Sequence, residues 1–414
     1  MDRVILHSDL NNFYASIECL YNPELKNKPV AVCGDPELRH GIVLAKNYIA
    51  KLYGVKTGDV IWEAKLKCPD IVIVPANFPL YLKFSQLARQ IYESYTDKIE
   101  SFGIDECWLD VTQSLKIKGD GVKIAQDISR RVKEELGVTV SIGVSWNKIY
   151  AKLGSDMKKP DAITVITKEN YKQKVFPLSV DNLLYVGKAT KAKLAKLNIR
   201  TIGDLAECDI NLLKTHLGKW GEYLWFFANG LDNSPVTPNG SESVVKSVGN
   251  SATTIRDLAT EEDVKMIVTV LSESVARRLR EQSLKGQCVH LGLQDVDMNY
   301  WAKQMKLKEP TYISGEIAKA AMHMFKNYYS FDKPVRNVSV SVSALCGADC
   351  LTQLDFFGNA AKQQKAEKLE KAIDEIRRRF GYFAISRATV LQDKTLTGLN
   401  PKEENVIHPY SYFK

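Results

Sequence analysis

The chain has 414 residues, of which 45% are hydrophobic and 26% charged, with a formal net charge of +8 and a pI near 8.8. Such a length calls for two to four domains, and the composition excludes a disordered or fibrous protein. No apolar run reaches the 18 or so residues that span a bilayer, and the N-terminus lacks a signal-peptide pattern.

The 8 cysteines are scattered without a CxxC pair, and no histidine lies near enough to Cys346 and Cys350 to complete a zinc site. Reduced thiols in a cytoplasmic protein are therefore expected. The moderate positive excess suits a polyanionic partner without requiring one.

Residues 3–9 thicken into a short apolar strand ending on Asp9, and residues 10–18 follow as a helix entered through an asparagine cap. A carboxylate at a strand end beside a helix start can hold a cation or orient phosphates, although a lone Asp there more often caps the helix. Residues 29–34 read as a strand, 41–51 pass from strand into helix, 71–74 form a strand closed by Pro75, and 84–95 have helical spacing. Residues 98–103 and 106–111 read as the arms of a hairpin, with Asp105 and Glu106 at its tip. Two like charges at about 4 Å, with an effective dielectric near 20, cost roughly 4 kcal/mol. The pair is either solvated, as most turn acids are, or has a cation between its members.

Residues 122–136 form an amphipathic helix with Ile124, Ile128 and Val132 on one face, followed by a strand over 138–144 and a helix over 148–158. The first 166 residues thus mix helices with antiparallel and crossover strands, an α+β arrangement. Residues 168–230 hold short helices punctuated by Gly187, Gly203, Gly218 and Gly230, and 229–241, rich in Pro, Gly, Asn and Ser, is the clearest linker. From 243 to about 344 the expected order is strand, helix, strand, helix, strand. Its long helix carries Val264, Ile267, Val268, Leu271, Val275 and Leu279 on one stripe and ends on Arg277, Arg278 and Arg280. A charged helix over 365–380, containing Arg377, Arg378 and Arg379, precedes an irregular C-terminus.

Asp9, Asp105 and Glu106 each end a short apolar strand of the first domain. If those strands are neighbours, three carboxylates meet at one sheet edge, and hard oxygen donors without histidine favour magnesium. Two such ions roughly 3.5–4 Å apart can clamp the attacking and leaving oxygens of an in-line phosphoryl displacement.

Ser8-Asp9-Leu10-Asn11-Asn12-Phe13-Tyr14-Ala15-Ser16-Ile17-Glu18, Ala45-Lys46-Asn47-Tyr48, Gly103-Ile104-Asp105-Glu106 and Ser145-Trp146-Asn147-Lys148-Ile149-Tyr150-Ala151-Lys152 resemble the signature segments of Y-family translesion DNA polymerases, most nearly the bacterial DNA polymerase IV type. The segments stand in the right order and spacing, and the resemblance covers about residues 1–357. It implies an α+β multidomain right hand: palm (1–10 and 76–166), fingers (11–75), helical thumb (167–232), a linker (233–243), an α/β little finger (244–346) and a C-terminal tail (347–414). It also implies a monomer that adds dNTPs to a primer on template DNA, at low fidelity, across damage and without proofreading.

By position, Asp9, Asp105, Glu106 and the backbone carbonyl of Leu10 would bind two magnesium ions, Asp105 bridging both and Glu106 serving mainly the ion at the primer hydroxyl. Tyr14 would be the steric gate against a ribose 2′-hydroxyl, and Tyr48, Lys51 and Lys159 would contact the triphosphate. Lysine at 51 departs from the usual arginine and loses its bidentate fork. Taken alone, Tyr14 would pass for a core aromatic and Lys159 for a solvated cation. In the thumb, Gly187, Lys188, Lys191 and Lys193 resemble a helix-hairpin-helix grip on DNA backbone, although Leu184-Tyr185 stands where the family commonly has Pro-Gly. In the little finger, Ser247, Thr254 and Arg256 lie on a strand that offers hydroxyls and a cation for backbone contact, or simply a solvated sheet face. Gln353-Leu354-Asp355-Phe356-Phe357 resembles the peptide that docks bacterial polymerases on the sliding clamp; the plainer alternative is a strand packing on its own protein.

Two other classes compete. A catalytically dead adaptor of the family would be expected to lack a carboxylate, and all three are present. A nucleotide cyclase can share a palm-like metal site, but would need neither thumb, little finger nor clamp peptide.

Overall fold

The computed structural model describes residues 3–35, 41–241, 244–350 and 359–398. They fall into two compact units, one within residues 1–34 and 42–242, the other formed chiefly by residues 243–406. No described helix is long and apolar enough to cross a membrane.

The strands of the first unit are β1 (Ile5–Leu10), β2 (Val30–Cys33), β3 (Val43–Lys46), β4 (Val72–Pro75), β5 (Ile99–Ser101), β6 (Glu106–Asp110), β7 (Val140–Ser145) and β8 (Ile163–Val165). Its helices are α1 (Phe13–Tyr21), α2 (Tyr48–Leu52), α3 (Ile61–Lys67), α4 (Phe78–Glu93), α5 (Leu115–Lys118), α6 (Gly121–Leu136), α7 (Lys148–Met157), α8 (Tyr171–Val175), α9 (Lys188–Lys196), α10 (Ile202–Glu207), α11 (Ile210–Leu217) and α12 (Lys219–Ala228). Five strands form one sheet in the order β5-β6-β1-β7-β8, and β3-β2-β4 form a small separate one.

Strand periodicity decides what each face of the large sheet carries. Leu6 and Leu10 of β1 share a core with Ile124 and Ile128 of α6 and with Ala88 and Ile91 of α4. The alternate residues Ile5, His7 and Asp9 face the other way, where Ile5 packs with Trp108 and with Ala151 of α7. α7 lies very close to the sheet because β7 offers Gly143 there: a Cβ at that position would fall 1.9 Å from the Ala151 carbonyl oxygen.

Several sequence expectations shift. α4 starts at Phe78 rather than at residue 84, since Asn77 accepts from the Leu80 amide and Pro79 fits the first helical turn. Asn12 stands at the start of α1 without a side-chain cap and takes a left-handed conformation, φ 46°, which asparagine tolerates. Glu106 opens β6 rather than closing a strand, and Asp105 sits in the turn before it.

The short helices α8–α12 enclose a core of their own that includes Val175, Leu183, Leu194, Leu205, Leu213 and Leu224. They are tied to α7 through Gly230, whose carbonyl accepts from the Trp146 indole (3.0 Å) and the Asn147 amide (3.1 Å). The stretch after it is a strap rather than a loose linker. Val236 is buried, Thr237 donates twice to Glu100, and the Asn239 side chain donates to Glu93. Composition alone could not distinguish a strap of this kind from a flexible connector.

In the second unit, β9 (Ser247–Leu258), α13 (Glu261–Glu281), β10 (Leu284–Asp295), β11 (Tyr300–Thr311), α14 (Ser314–Tyr328) and β12 (Val335–Gly347) follow in order. One strand more than expected is present, because residues 284–311 fold as a β10–β11 hairpin. The sheet is antiparallel throughout, in the order β11-β10-β12-β9. All six residues of the predicted α13 stripe are buried against one face of it. α15 (Asn359–Phe380) and α16 (Lys394–Thr397) belong to this unit as well. Arg377 and Arg387 donate to buried Glu273 (2.7 Å each), Arg280 meets Glu370 (3.0 Å) and Asp374 (2.6 Å), and Leu396 enters the core. The stretch expected to be an irregular tail is thus bolted onto its neighbour through residue 398.

Candidate active site

Pairing of β1 with β6 sets Asp9 directly opposite Glu106, and the Leu10 amide donates to the Asp105 carbonyl at 3.0 Å. The three acids expected to converge therefore do so, on the sheet face that α7 covers. Two lysines stand among them. The Lys152 ammonium lies 3.3 Å from Asp9, 2.8 Å from Glu106 and 3.2 Å from Asp156, and the Lys159 ammonium lies 2.7 Å from Asp9 and 3.0 Å from Asp156.

Burial first, and then the neighbouring Glu106 and Asp9 charges, push the Asp105 carboxyl up to about 7. Asp9 is raised by the same two causes, burial and the Glu106 charge, with Lys152 and Lys159 opposing. For Lys152, burial works against the charge, but Glu106, Asp9 and Asp156 more than offset it and hold the ammonium protonated. His7, buried beside Glu106 with its Nε2 at 3.4 Å, is lowered to about 3 by burial and by Lys152, so it is neutral and makes no ion pair. Its Nδ1 lies 2.9 Å from the Ser155 hydroxyl, which fixes the ring against α7.

Among the described residues no three acidic, histidine or cysteine side chains already form a coordination shell; ammonium groups stand between the carboxylates instead. The donor set nevertheless suits a hard divalent cation. Its members are oxygen anions that raise one another's affinity for positive charge, and only cations relieve that repulsion. Asp9 does not cap a helix.

Around this centre, Asn11 is almost fully buried and anchors the segment that carries Lys159. Its side chain donates to Ser141 (2.9 Å) and accepts from Thr139 (3.0 Å) and from the Asp161 amide (2.9 Å). The Tyr14 ring stacks on Tyr81 with centroids 4.3 Å apart and meets Phe78 edge-on at 6.0 Å. Burial first, and then the Asp105 charge, push its phenol up to about 12. Tyr48 opens α2 within electrostatic reach of Lys159 and Asp9, and Lys51 lies 5.6 Å from the Tyr48 ring centroid. Lys46 joins the same rim, its charge disfavoured by burial and then by Lys51.

Lys152, Asp156, His7 and Lys46 carried no role in the sequence reading. A signal was present for two of them, since Lys152, Asp156 and Lys159 follow the i, i+4, i+7 spacing that puts charges on one helix face.

The expected DNA-contacting residues separate. Gly187 precedes α9 in open space, Lys188 is exposed, and Lys191 is exposed but paired with Asp181 at 2.7 Å. Ser247 lies on the open face of the second unit's sheet, in register with Ser343 and Cys288. Thr254 does not: an odd number of residues beyond Ser247, it falls by strand alternation on the opposite face, with Val248 and Asn250. Thr254 is fully buried and donates to the carbonyls of Arg256 and Arg336, so it offers nothing outward. The Arg256 guanidinium is held by Asp263 (2.7 Å) and Asp393 (2.9 Å). The open face instead carries Ser251, Ser339, Ser341 and Lys306, residues the sequence reading passed over. Gln353, Leu354, Phe356 and Phe357 lie outside the described residues.

Comparison with known proteins agrees with this geometry. The impB/mucB/samB family profile matches residues 8–156, that family's C-terminal domain matches 245–356, and the profile of the DNA polymerase-iota thumb domain matches 181–232. The chain is 55% identical over 396 residues to DNA polymerase IV of Acetivibrio thermocellus, covering 96% of this chain and 99% of that protein. It is 35% identical to DNA polymerase IV of Clostridium acetobutylicum, over 95% of this chain and 99% of that one. A solved Y-family DNA polymerase chimera superposes with a TM-score of 0.71 at 25% identity, covering 82% of this chain and 98% of the chimera. With near-complete coverage of such relatives, the chain belongs to the Y-family of DNA polymerases, on its DNA polymerase IV branch.

Proposed function

We infer that this protein is a DNA-directed DNA polymerase of the translesion type, adding dNTPs to a primer 3′ end opposite a template. The observation that carries the inference is the meeting of Asp9, Asp105 and Glu106 across β1 and β6, with Lys152 and Lys159 among them. Magnesium held by the three carboxylates and the Leu10 carbonyl, two ions in this proposal, would supply an activated primer hydroxyl and neutralise the leaving pyrophosphate.

The chain's own residues do the remaining work. Lys159 and Tyr48, with Lys51 and Lys46 on the same rim, attract and orient the triphosphate. Lys152 keeps Asp9 and Glu106 from driving each other apart. Tyr14, held by Tyr81 and Phe78, closes the space a ribose 2′-hydroxyl would need. We assign the β1 sheet region to the palm, the β2 region to the fingers, α8–α12 to the thumb and the β9–β12 unit to the little finger. The peptide 353–357 is proposed to dock on a sliding clamp, and the protein to act as a cytoplasmic monomer.

Primer extension with magnesium tests the central proposal. Wild-type protein is expected to elongate a primed template and Asp105→Ala to fail; equal extension by both would overturn it. Tyr14→Ala should begin to incorporate ribonucleotides, and unchanged sugar discrimination would remove Tyr14 from the gate. Deletion of 353–357 should abolish clamp stimulation and spare clamp-free synthesis.

A further inference from the structure

All 8 cysteines are free, and two of them stand together in the second unit. Cys346, near the end of β12, donates its S–H to the Cys350 sulfur, and the two sulfurs are 2.9 Å apart. A disulfide bond measures about 2.05 Å, so closing one here asks less than about 1 Å of movement. The backbone already holds the pair in place. Cys346 is in register with Lys285 and Gly347 with Leu284 of β10, and the Ala348 amide donates to the Ser283 carbonyl at 2.8 Å. The Cys350 amide then donates to the Gly347 carbonyl at 3.0 Å, which turns the chain back toward Cys346.

The surroundings suit thiol chemistry. The ammonium of Lys285, itself buried, lies within electrostatic reach of both sulfurs. Glu367 of α15 holds it at 3.1 Å, and it stands 4.9 Å from the centroid of the Tyr312 ring. Burial first, and then the hydrogen bond to Cys350, push the Cys346 thiol up to about 11, with Lys285 opposing. Cys346 thus keeps its proton, and Cys350, which accepts that hydrogen bond with a cation near it, is placed as the attacking sulfur. Both side chains are half-buried, within reach of a small reagent. A bond between them would close only the short loop 346–350, which adds little stability through loop closure. Such a disulfide is readily made and broken, unlike the structural bridges of secreted proteins.

We propose that Cys346 and Cys350 form a dithiol–disulfide site, which a low-molecular-weight disulfide such as oxidised glutathione oxidises reversibly, fastening the turn 346–350. The Cys350 sulfur, as thiolate, attacks one sulfur of the reagent, forming a mixed disulfide and expelling one thiolate, which takes up a proton. The Cys346 sulfur gives its proton to solvent and attacks the Cys350 sulfur. The Cys346–Cys350 bond forms and the second thiolate leaves. In all, the pair loses two electrons and two protons, and the reagent gains them as two thiols. The bond fixes the chain at residue 350, three residues before the proposed clamp peptide 353–357 begins. It depends neither on that peptide's role nor on the reading of the protein as a polymerase.

Full-length protein, first reduced and then incubated with oxidised glutathione, tests the site. Remaining thiols are alkylated, and the peptides are weighed without reductant. The peptide containing residues 346–350 is expected two hydrogens lighter and unalkylated, and dithiothreitol should restore both thiols. Its loss of alkylation should run about tenfold faster than that of Cys19, Cys208 and Cys288, which are half-buried as well. Two persisting thiols, glutathione carried without an internal bond, or a bond from either cysteine to a third one would each overturn the proposal. Cys346→Ser should stop at a mixed disulfide on Cys350. If Cys350 in that variant stays a free thiol under conditions that oxidise wild type, it is not the attacking sulfur and the mechanism falls. Hydrogen exchange at the Ala348 and Cys350 amides should slow severalfold in the oxidised protein and recover on reduction. Unchanged exchange would mean that the bond fastens nothing, which also overturns the proposal.

Discussion

At the scale of single residues, the site is a problem of crowded charge. The Asp105 carboxyl, pushed up to about 7 by burial and by Glu106 and Asp9, holds its proton far more tightly than an unfolded Asp near 3.9. The stability this adds is complete below about pH 4 and is lost as the pH rises through about 7. A divalent cation competes with that proton, so its affinity should rise over the same window. Magnesium titrated calorimetrically is expected to bind about tenfold more tightly at pH 8 than at pH 6, and equal affinities would remove Asp105 from the donor set. Lys152 is the converse case. Replacing its buried ammonium in Lys152→Met takes the lysine away from Glu106 and leaves Asp9 and Asp156 to Lys159 alone, a loss of at most about 3–5 kcal/mol. Thermal melts in chelator should fall accordingly, and magnesium should restore more stability to the variant than it adds to wild type.

At the scale of elements, the site depends on how closely α7 approaches β7. A Cβ at Gly143 would sit 1.9 Å from the Ala151 carbonyl oxygen and 2.6 Å from the Ser155 amide nitrogen, so Gly143→Ala must push the helix away. Such overpacking costs about 1–3 kcal/mol, and because Lys152 and Ser155 ride on the helix, kcat for primer extension should fall with the melting temperature. Val144→Ala, on the opposite face of the strand and also buried, should lower stability with much less effect on kcat. Equal losses of kcat in the two variants would show that the placement of α7 does not matter. Tyr185, before α9, takes a left-handed conformation, φ 73°, at a cost of about 1–2 kcal/mol, against about 0.5–1.5 kcal/mol for each of its ring contacts with Trp220 and Phe227.

At the scale of the molecule, the C-terminal unit is closed by ion pairs rather than by an apolar stripe. Glu273 of α13 receives Arg377 and Arg387, and Arg280 of the same helix holds Glu370 and Asp374 of α15. Removing both arginines in the Arg377→Ala, Arg387→Ala variant leaves a buried carboxylate uncompensated, at a cost of about 3–5 kcal/mol. Hydrogen exchange should then quicken in β9 and β12 while β1, β6 and β7 keep their protection. Uniform exchange across both units would mean that they unfold as one.

How much could be foreseen follows from the physics of each feature. The strand ending on Asp9, the Asp105–Glu106 hairpin, the α6 stripe and the α13 stripe were legible because apolar periodicity is a local property and burial enforces it. The family resemblance then connected acids a hundred residues apart. Three other outcomes are non-local: the lysines between those acids, the strap over 231–241, and the docking of α15. Each depends on which charges or carbonyls another segment presents, and ion pairs leave no period in the chain. The sequence by itself determined which acids this protein brings together and the strands that bear them. Only the tertiary structure decided what stands between them, because a buried charge takes its partner from whichever element packs against it.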